Sequence, residues 1–154
     1  MKTILNLFRL NFLPRSSDLA LLLLRLWIGA SMLLLHGWDK LKTFSTLKEK
    51  FADPTGLGMP NSVALGLCVF AEVVCAVLLA SGFLTRLAAL TSAINMGVAF
   101  FIVHKMDIKF GVGGTGELAF LYLAAYVTLF IAGGGRFGFD NPAPAKRRSR
   151  PPPD

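Results

Sequence analysis

The sequence predicts an all-α protein that spans a membrane as a four-helix bundle. Of its 154 residues, 54% are hydrophobic and only 16% are charged, and the mean hydropathy is +0.59. Soluble domains contain about 45–50% apolar residues. The apolar residues fall into four runs, and within each run they are continuous instead of alternating. This pattern favours membrane-spanning helices over the strands of a membrane barrel.

The four runs are 15 to 22 residues long and cover residues 19–38, 63–84, 87–103 and 118–132. A helix needs about 20 residues to cross ~30 Å of hydrocarbon at 1.5 Å per residue. The fourth run is short, and we expect residues 116–117 and 133–135 to complete it at the membrane boundary. The four runs together predict a transmembrane domain over residues 18–140.

The two termini differ from this domain in composition. Residues 1–17 are predicted to form an interfacial segment, because Ile4, Leu5, Phe8 and Phe12 lie on one face of a short helix that Pro14 stops. Residues 141–154 are rich in proline and basic residues, cannot form a packed element, and are predicted to be disordered.

The distribution of positive charge predicts the orientation in the membrane. If both termini are cytoplasmic, nine Lys and Arg residues lie inside and six lie outside, with Arg25 within the first span. The positive-inside rule therefore favours this orientation. The net charge of +7 is explained by membrane orientation and by contact of the basic tail with anionic lipid. Nucleic acid is not a predicted partner.

The first run carries a polar stripe. Arg25, Gly29, Met32, His36 and Lys40 recur at intervals of three or four residues, which places them on one helical face. We expect this face to point into the bundle.

Glu72 lies in the second run, about nine residues from its outer end and close to the bilayer midplane. An ionised residue there costs ~3 kcal/mol, against a gain of ~0.3–0.6 kcal/mol for each apolar residue, so insertion is still favoured. The carboxylate should face the interior and find a partner. One interpretation is a structural ion pair with Arg25 that fixes the helix register.

Ionisable residues gather at the outer end of the predicted bundle, where both histidines lie. They can be ordinary interfacial residues, but their concentration predicts a site. The candidates for proton-exchanging, catalytic residues are Glu72, His36 and Glu117, and those for substrate binding are Arg25, Lys40 and His104.

Other motifs are excluded or given structural roles. Cys68 and Cys75 flank Glu72 on one helical face, but seven residues span ~10.5 Å, too far for a disulfide. We expect both to be small packing residues. No histidine spacing predicts a metal site, and no motif predicts a covalent cofactor or assigns cofactor-binding residues.

The loop over residues 39–62 is long for a four-helix protein. Leu41, Phe44, Leu47 and Phe51 recur at helical spacing before a Pro- and Gly-containing stretch. This predicts a short amphipathic helix over the outer mouth of the bundle, which would cover Glu72 and the histidines.

Four stretches, in order, carry a family resemblance: RLWIGASMLLLHGWDKL, FAEVVCAVLLASGFLTRLAAL, GTGELAFLYL and GGGRFGFD. Together they resemble the DoxX family of small four-helix membrane proteins over most of residues 19–140. The matching positions are Arg25, His36, Gly37, Lys40, Glu72, Arg86 and Glu117. Gly134 stands where the family often has proline, which should loosen the end of the last helix.

The resemblance implies a multi-pass protein of the cell (inner) membrane with cytoplasmic termini. It also implies links to quinone-dependent oxidation of thiosulfate, and to thiol or oxidative-stress complexes. One hypothesis is therefore an accessory subunit of a quinone-linked redox complex, in which a quinone or quinol exchanges protons with Glu72, His36 or Glu117. No electron-carrier motif is present, so a partner protein would supply electrons. The alternative is a membrane scaffold or small transporter with a buried Arg25/Glu72 pair.

Overall fold

A computed structural model describes residues 16–107 and 116–140 of the chain. In these two segments every regular element is helical, which confirms the all-α prediction. The helices are α1 (Ser17–Lys42), α2 (Phe44–Leu47), α3 (Asn61–Ser81), α4 (Thr85–Val103) and α5 (Gly116–Ala132). The predicted disordered tail, and the predicted interfacial segment except its last two residues, lie outside the described residues.

Four of these helices form the membrane bundle. α1, α3 and α4, with 26, 21 and 19 residues, are long and apolar enough to cross a membrane, and α5 is an apolar helix of 17 residues. Their outward faces are apolar: Trp27 is 79% exposed and Leu35 is 72% exposed. Such faces suit lipid. The predicted runs match the helices closely, although α1 continues four residues past its predicted end.

The turn between α3 and α4 needs only three residues. Gly82 ends α3 with φ +78°, in the left-handed region that glycine adopts without strain. Leu84 and Thr85 then donate their backbone N–H groups to the Asp140 carboxylate, both at 2.6 Å. The carboxylate therefore caps the start of α4 and ties the segment after α5 to it.

Small residues set the register between α1 and α3. A Cβ atom on Gly29 would lie 2.7 Å from the Ala76 carbonyl oxygen, and one on Gly37 would lie 2.6 Å from the Glu72 carbonyl oxygen. The two backbones are in direct contact at both points, as is common between membrane helices. This antiparallel register places Arg25 beside Gly82 and Lys40 beside Glu72.

The core lies where these helices meet α4 and α5. Its larger buried side chains are Met32, Leu79, Met96, Phe100, Tyr122, Tyr126 and Leu129. We name the ends of the bundle by their basic residues. The histidine end carries His36 and His104, and the arginine end carries Arg25, Arg86 and Arg136.

Candidate functional site

Three helices change their winding near the histidine end. π-helical turns cover Leu33–Gly37 in α1, Phe70–Val74 in α3 and Val98–Val103 in α4. π turns are rare and occur often at functional sites, because the extra residue widens the helix and re-aims side chains. His36 and Glu72 lie within two of these turns, and His104 follows the third.

A cavity of about 150 Å³ lies between these widened turns. Its lining is Met32, His36, Lys40, Glu72, Met96, Ala99, His104, Leu118, Ala119 and Tyr122. Four of the six predicted site residues are therefore brought together: Glu72, His36, Lys40 and His104. An apolar cavity of about 150 Å³ holds one benzene molecule, so this one has room for a single six-membered ring.

An ion pair forms the charged wall of the cavity. Lys40 Nζ lies 2.6 Å from Glu72 Oε1 and 2.7 Å from Oε2, so both carboxylate oxygens accept from one ammonium group. Glu72 is only 3% exposed, which confirms that it faces the interior. The Lys40 side chain is 30% exposed, so the pair reaches from the core towards the surface.

Cys68 extends this ion pair into a three-residue polar cluster. Its Sγ donates to Glu72 Oε1 at 3.3 Å and accepts from Lys40 Nζ at 3.6 Å. The expectation that Cys68 is only a packing residue is therefore wrong. Cys75, by contrast, is 2% exposed and lies in the hydrophobic core as expected.

The facing wall of the cavity is aromatic. The Tyr122 ring packs edge-to-face on the His36 ring, with centroids 5.7 Å apart, and stacks on Tyr126 at 6.0 Å. The Tyr122 hydroxyl donates to Ser31 Oγ at 2.9 Å, and Ser31 in turn donates to the Ile28 carbonyl. Tyr122 and His36 are thus held in place, and the cavity combines a charged wall with an aromatic one.

Arg25 lies at the other end of the bundle, and its predicted pairing with Glu72 is wrong. Its fully buried guanidinium packs beneath Gly82, where a Cβ atom would overlap Nη1. Gly82 is ten residues beyond Glu72, about 15 Å along a helix. Within the described segments, none of the three guanidinium nitrogens has a hydrogen-bond partner. Asp140 interacts electrostatically with this guanidinium without forming a hydrogen bond to it.

Asp140 remains ionised at this position. Its burial acts to raise its pKa, but hydrogen bonds from the N–H groups of Thr85 and Leu84, together with the charge of Arg25, outweigh that effect. The pKa of Asp140 therefore lies below its ordinary value. Sequence reasoning assigned no role to this residue.

Glu117 is the second residue of α5, at the histidine end, but the residues of that helix that line the cavity are Leu118, Ala119 and Tyr122. Its catalytic role stays a prediction. No group of three metal-binding side chains occurs among residues 16–107 and 116–140.

The loop after α1 differs from its prediction. It contains a single helical turn, Phe44–Leu47, and none of its described residues lines the cavity. Pro54, Thr55 and Met59 instead line a groove between α3 and α4. Asp53 holds this loop by accepting from the Thr55 hydroxyl and N–H and from the Met59 N–H, and these bonds lower the pKa of Asp53.

The family model for DoxX matches residues 20–105, which include both residues of the ion pair. The chain belongs to the DoxX family. Its membrane character, helical bundle and family membership are thus in agreement.

Two relatives are similar to this chain over a longer stretch than the family model covers. An uncharacterised protein of Haemophilus influenzae is 30% identical over 117 residues, covering 74% of this chain and 84% of that protein. A second uncharacterised protein of the same organism is 27% identical over 127 residues, covering 80% of this chain and 83% of that protein. No solved structure matches the chain.

Sequence reasoning missed two residues of this site in the DoxX protein: Tyr122, which lines the cavity, and Cys68, which contacts the ion pair. A signal for each was present. Tyr122 is a polar aromatic residue within an apolar span, and Cys68 lies one turn before Glu72 on the same face. A residue one turn away on that face lies within reach of the buried carboxylate.

Proposed function

We propose that this DoxX protein is an accessory subunit of a quinone-linked redox complex and that its cavity receives the head group of a quinone or quinol. The observation that carries the proposal is the combination of size and lining: space for one ring, bounded by an ion pair, two histidines and a tyrosine. Five of the ten lining residues are apolar and five are polar or ionisable, so apolar contacts for a ring are combined with the convergent polar groups that fix a ligand's orientation.

The residues of the cavity suit proton exchange with a quinone. Reducing a quinone to a quinol consumes two electrons and two protons, and the protons must reach the two ring oxygens. During quinone reduction Lys40 can donate a proton to a ring oxygen, and when a quinol is oxidised Glu72 can accept one of the two protons released. The exposed part of the Lys40 side chain leads to the surface, from which it can be reprotonated. A soluble partner in a thiosulfate, thiol or oxidative-stress complex supplies or receives the electrons.

The predicted topology assigns the proposed proton exchange to one side of the membrane. With both termini cytoplasmic in the inner membrane, the histidine end faces the outer leaflet, and protons would be exchanged on that side. The alternative hypothesis of a scaffold or transporter relied on an Arg25/Glu72 pair. The structure does not contain that pair, because Glu72 binds Lys40 instead.

A binding experiment with matched variants tests the proposal. Purified protein in mild detergent is titrated with a short-chain quinone, and binding is followed by quenching of the two tryptophans or by native mass spectrometry. We expect Glu72→Gln to weaken binding at least tenfold. Glu49→Gln, which removes an exposed carboxylate from the loop after α2, should leave binding unchanged.

Two results would contradict the proposal. One is the absence of quinone binding by the unaltered protein. The other is equal binding by both variants together with unchanged quinol-linked electron flow in membranes that contain Glu72→Gln. The first result would leave a cavity without a quinone, and the second would place any bound quinone away from Glu72.

A further inference from the structure

A large cleft lies at the arginine end, at the opposite end of the bundle from the ring-sized cavity. It has a volume of about 640 Å³. Its lining comes from the start of α1, the start of α4 and the turn after α5, and includes Arg86, Arg136, Asp18 and Asp140. Ligand pockets for small molecules measure about 300–1,000 Å³, so the cleft is large enough for a ligand.

The position of the cleft indicates the depth at which it opens. α1 begins at Ser17, α3 ends at Ser81, α4 begins at Thr85 and α5 ends at Ala132, so all four spans have an end here. The cleft therefore opens where hydrocarbon gives way to lipid head groups. Its apolar wall contains Leu87, which is 60% exposed and lies on the lipid-facing surface of α4.

The cleft is lined by two arginines and two aspartates, and with the buried Arg25 beside it the described charges of this region sum to +1. Asp140 is occupied by the N–H groups at the start of α4 and by the charge of Arg25. Asp18 Oδ1 accepts from the Arg136 backbone N–H at 2.9 Å. In the described segments neither Arg86 nor Arg136 forms an ion pair with a carboxylate. Two guanidinium groups thus face one remaining acid.

Arg86 is held in place but keeps donors for a ligand. Its Nη2 donates to the Ile131 carbonyl at 3.0 Å, near the C-terminus of α5, where a cation is favoured. Its Nε lies within ordinary van der Waals distance, 3.4 Å, of a Cβ position on Gly133, so the side chain packs against the turn after α5. A guanidinium group has five N–H donors, and most of these remain available.

From these observations we infer that the cleft binds the phosphate of an anionic phospholipid, with Arg86 and Arg136 contacting the phosphate and the acyl chains running along the apolar wall. Arginine matches phosphate geometry with two parallel hydrogen bonds. Free inorganic phosphate shares the phosphate chemistry but has no acyl chains. The inference is independent of the quinone proposal, since the two sites lie at opposite ends of the bundle.

The test compares lipids and charge-matched variants of the full chain in detergent. Native mass spectrometry measures retention of a phosphatidylglycerol, and thermal unfolding measures the stabilisation that it gives. The double variant Arg86→Gln/Arg136→Gln is compared with Lys48→Gln/Lys50→Gln, which removes the same charge from exposed loop residues. Both variants keep the basic tail, so any lipid bound by the tail contributes equally.

We expect the arginine double variant to bind phosphatidylglycerol about tenfold more weakly than the lysine double variant, and a phosphatidylcholine to bind weakly to all proteins. Equal binding by the two variants would overturn the inference. So would stabilisation by inorganic phosphate that equals that of the lipid and falls by the same factor in the arginine variant, because the site would then take a free anion. Equal retention of phosphatidylcholine would also overturn it.

Discussion

Replacing Lys40 by Met should destabilise the protein more than is usual for a partly exposed lysine side chain. Met has a similar length and helix propensity, so the change removes the charge with little loss of packing. It leaves Glu72, 3% exposed, without the ammonium group that binds both of its oxygens. An uncompensated buried charge is one of the few causes of a large effect from a single substitution.

The magnitude follows from the geometry. At the observed 2.6 Å, and with an effective dielectric constant of about 20, two unit charges attract by about 6 kcal/mol. Most of this attraction is offset by the desolvation of Glu72, several kcal/mol per ion. We expect Lys40→Met to cost about 3 kcal/mol. Glu72→Gln should cost less, about 1–2 kcal/mol, because the partly exposed Lys40 can turn to water.

A double-mutant cycle measures the interaction directly. Unfolding is followed by tryptophan fluorescence during titration of mixed micelles with a denaturing detergent, and Lys48→Met serves as an exposed control that should change stability by less than about 0.5 kcal/mol. The stability lost by the double variant should be about 2 kcal/mol smaller than the sum of the losses in the two single variants. Additive effects within about 0.5 kcal/mol would refute the reasoning, since they would mean that the pair contributes nothing.

Three further predictions concern stability. The pKa of Asp140 is lowered in the folded protein, so the carboxylate stabilises the fold above its unfolded pKa of about 4, and this contribution is lost as the pH falls through the folded-state pKa. Asp140→Asn should therefore lower the free energy of unfolding by about 1 kcal/mol at pH 7. In an acid titration, the difference in stability between the variant and the unaltered protein should vanish. The fully buried Tyr126 hydroxyl has no hydrogen-bond partner in the described segments, so Tyr126→Phe should stabilise by about 1 kcal/mol, and a lower unfolding midpoint would contradict this. Gly37→Ala should cost about 1–3 kcal/mol of stability, because its Cβ atom would meet the Glu72 carbonyl. Gly66→Ala has open space around it and should stabilise the protein slightly. Equal effects of the two substitutions on unfolding in detergent would show that the contact between α1 and α3 at Gly37 is not tight.

The order and extent of the helices could be predicted from the sequence, because apolar run length responds directly to membrane thickness. The inward stripe of α1 was also predictable. Arg25, Gly29 and Met32 are buried, and His36 and Lys40 line the cavity. Helical periodicity fixes a face regardless of what packs against it.

The partner of Glu72 could not be chosen from periodicity. Arg25 and Lys40 lie on the same stripe, and only the register of α3 along α1 decides which of them meets the carboxylate. That register depends on the backbone contacts at Gly29 and Gly37. These contacts depend on how the surfaces of α1 and α3 fit together in three dimensions. The spacing of residues along the sequence does not contain that information.

The loop and the turn after α5 were missed for a related reason. Asp53 and Asp140 act through hydrogen bonds to backbone N–H groups, and such bonds carry no distinctive side-chain spacing. The 4-residue helix Phe44–Leu47 shows the limit of an amphipathic pattern, since an apolar spacing does not specify how far a helix continues.

The ring-sized cavity lies along a seam between two tightly packed helix pairs. α1 and α3 supply Lys40 and Glu72 and touch backbone to backbone, while α4 and α5, which pack on each other, supply His104 and Tyr122. The Tyr122–Ser31 hydrogen bond and the Tyr122–His36 ring contact join the two pairs beside the cavity. A ligand that entered between the pairs would therefore have to break or replace these two contacts, while the Lys40–Glu72 ion pair lies within one pair and would stay intact.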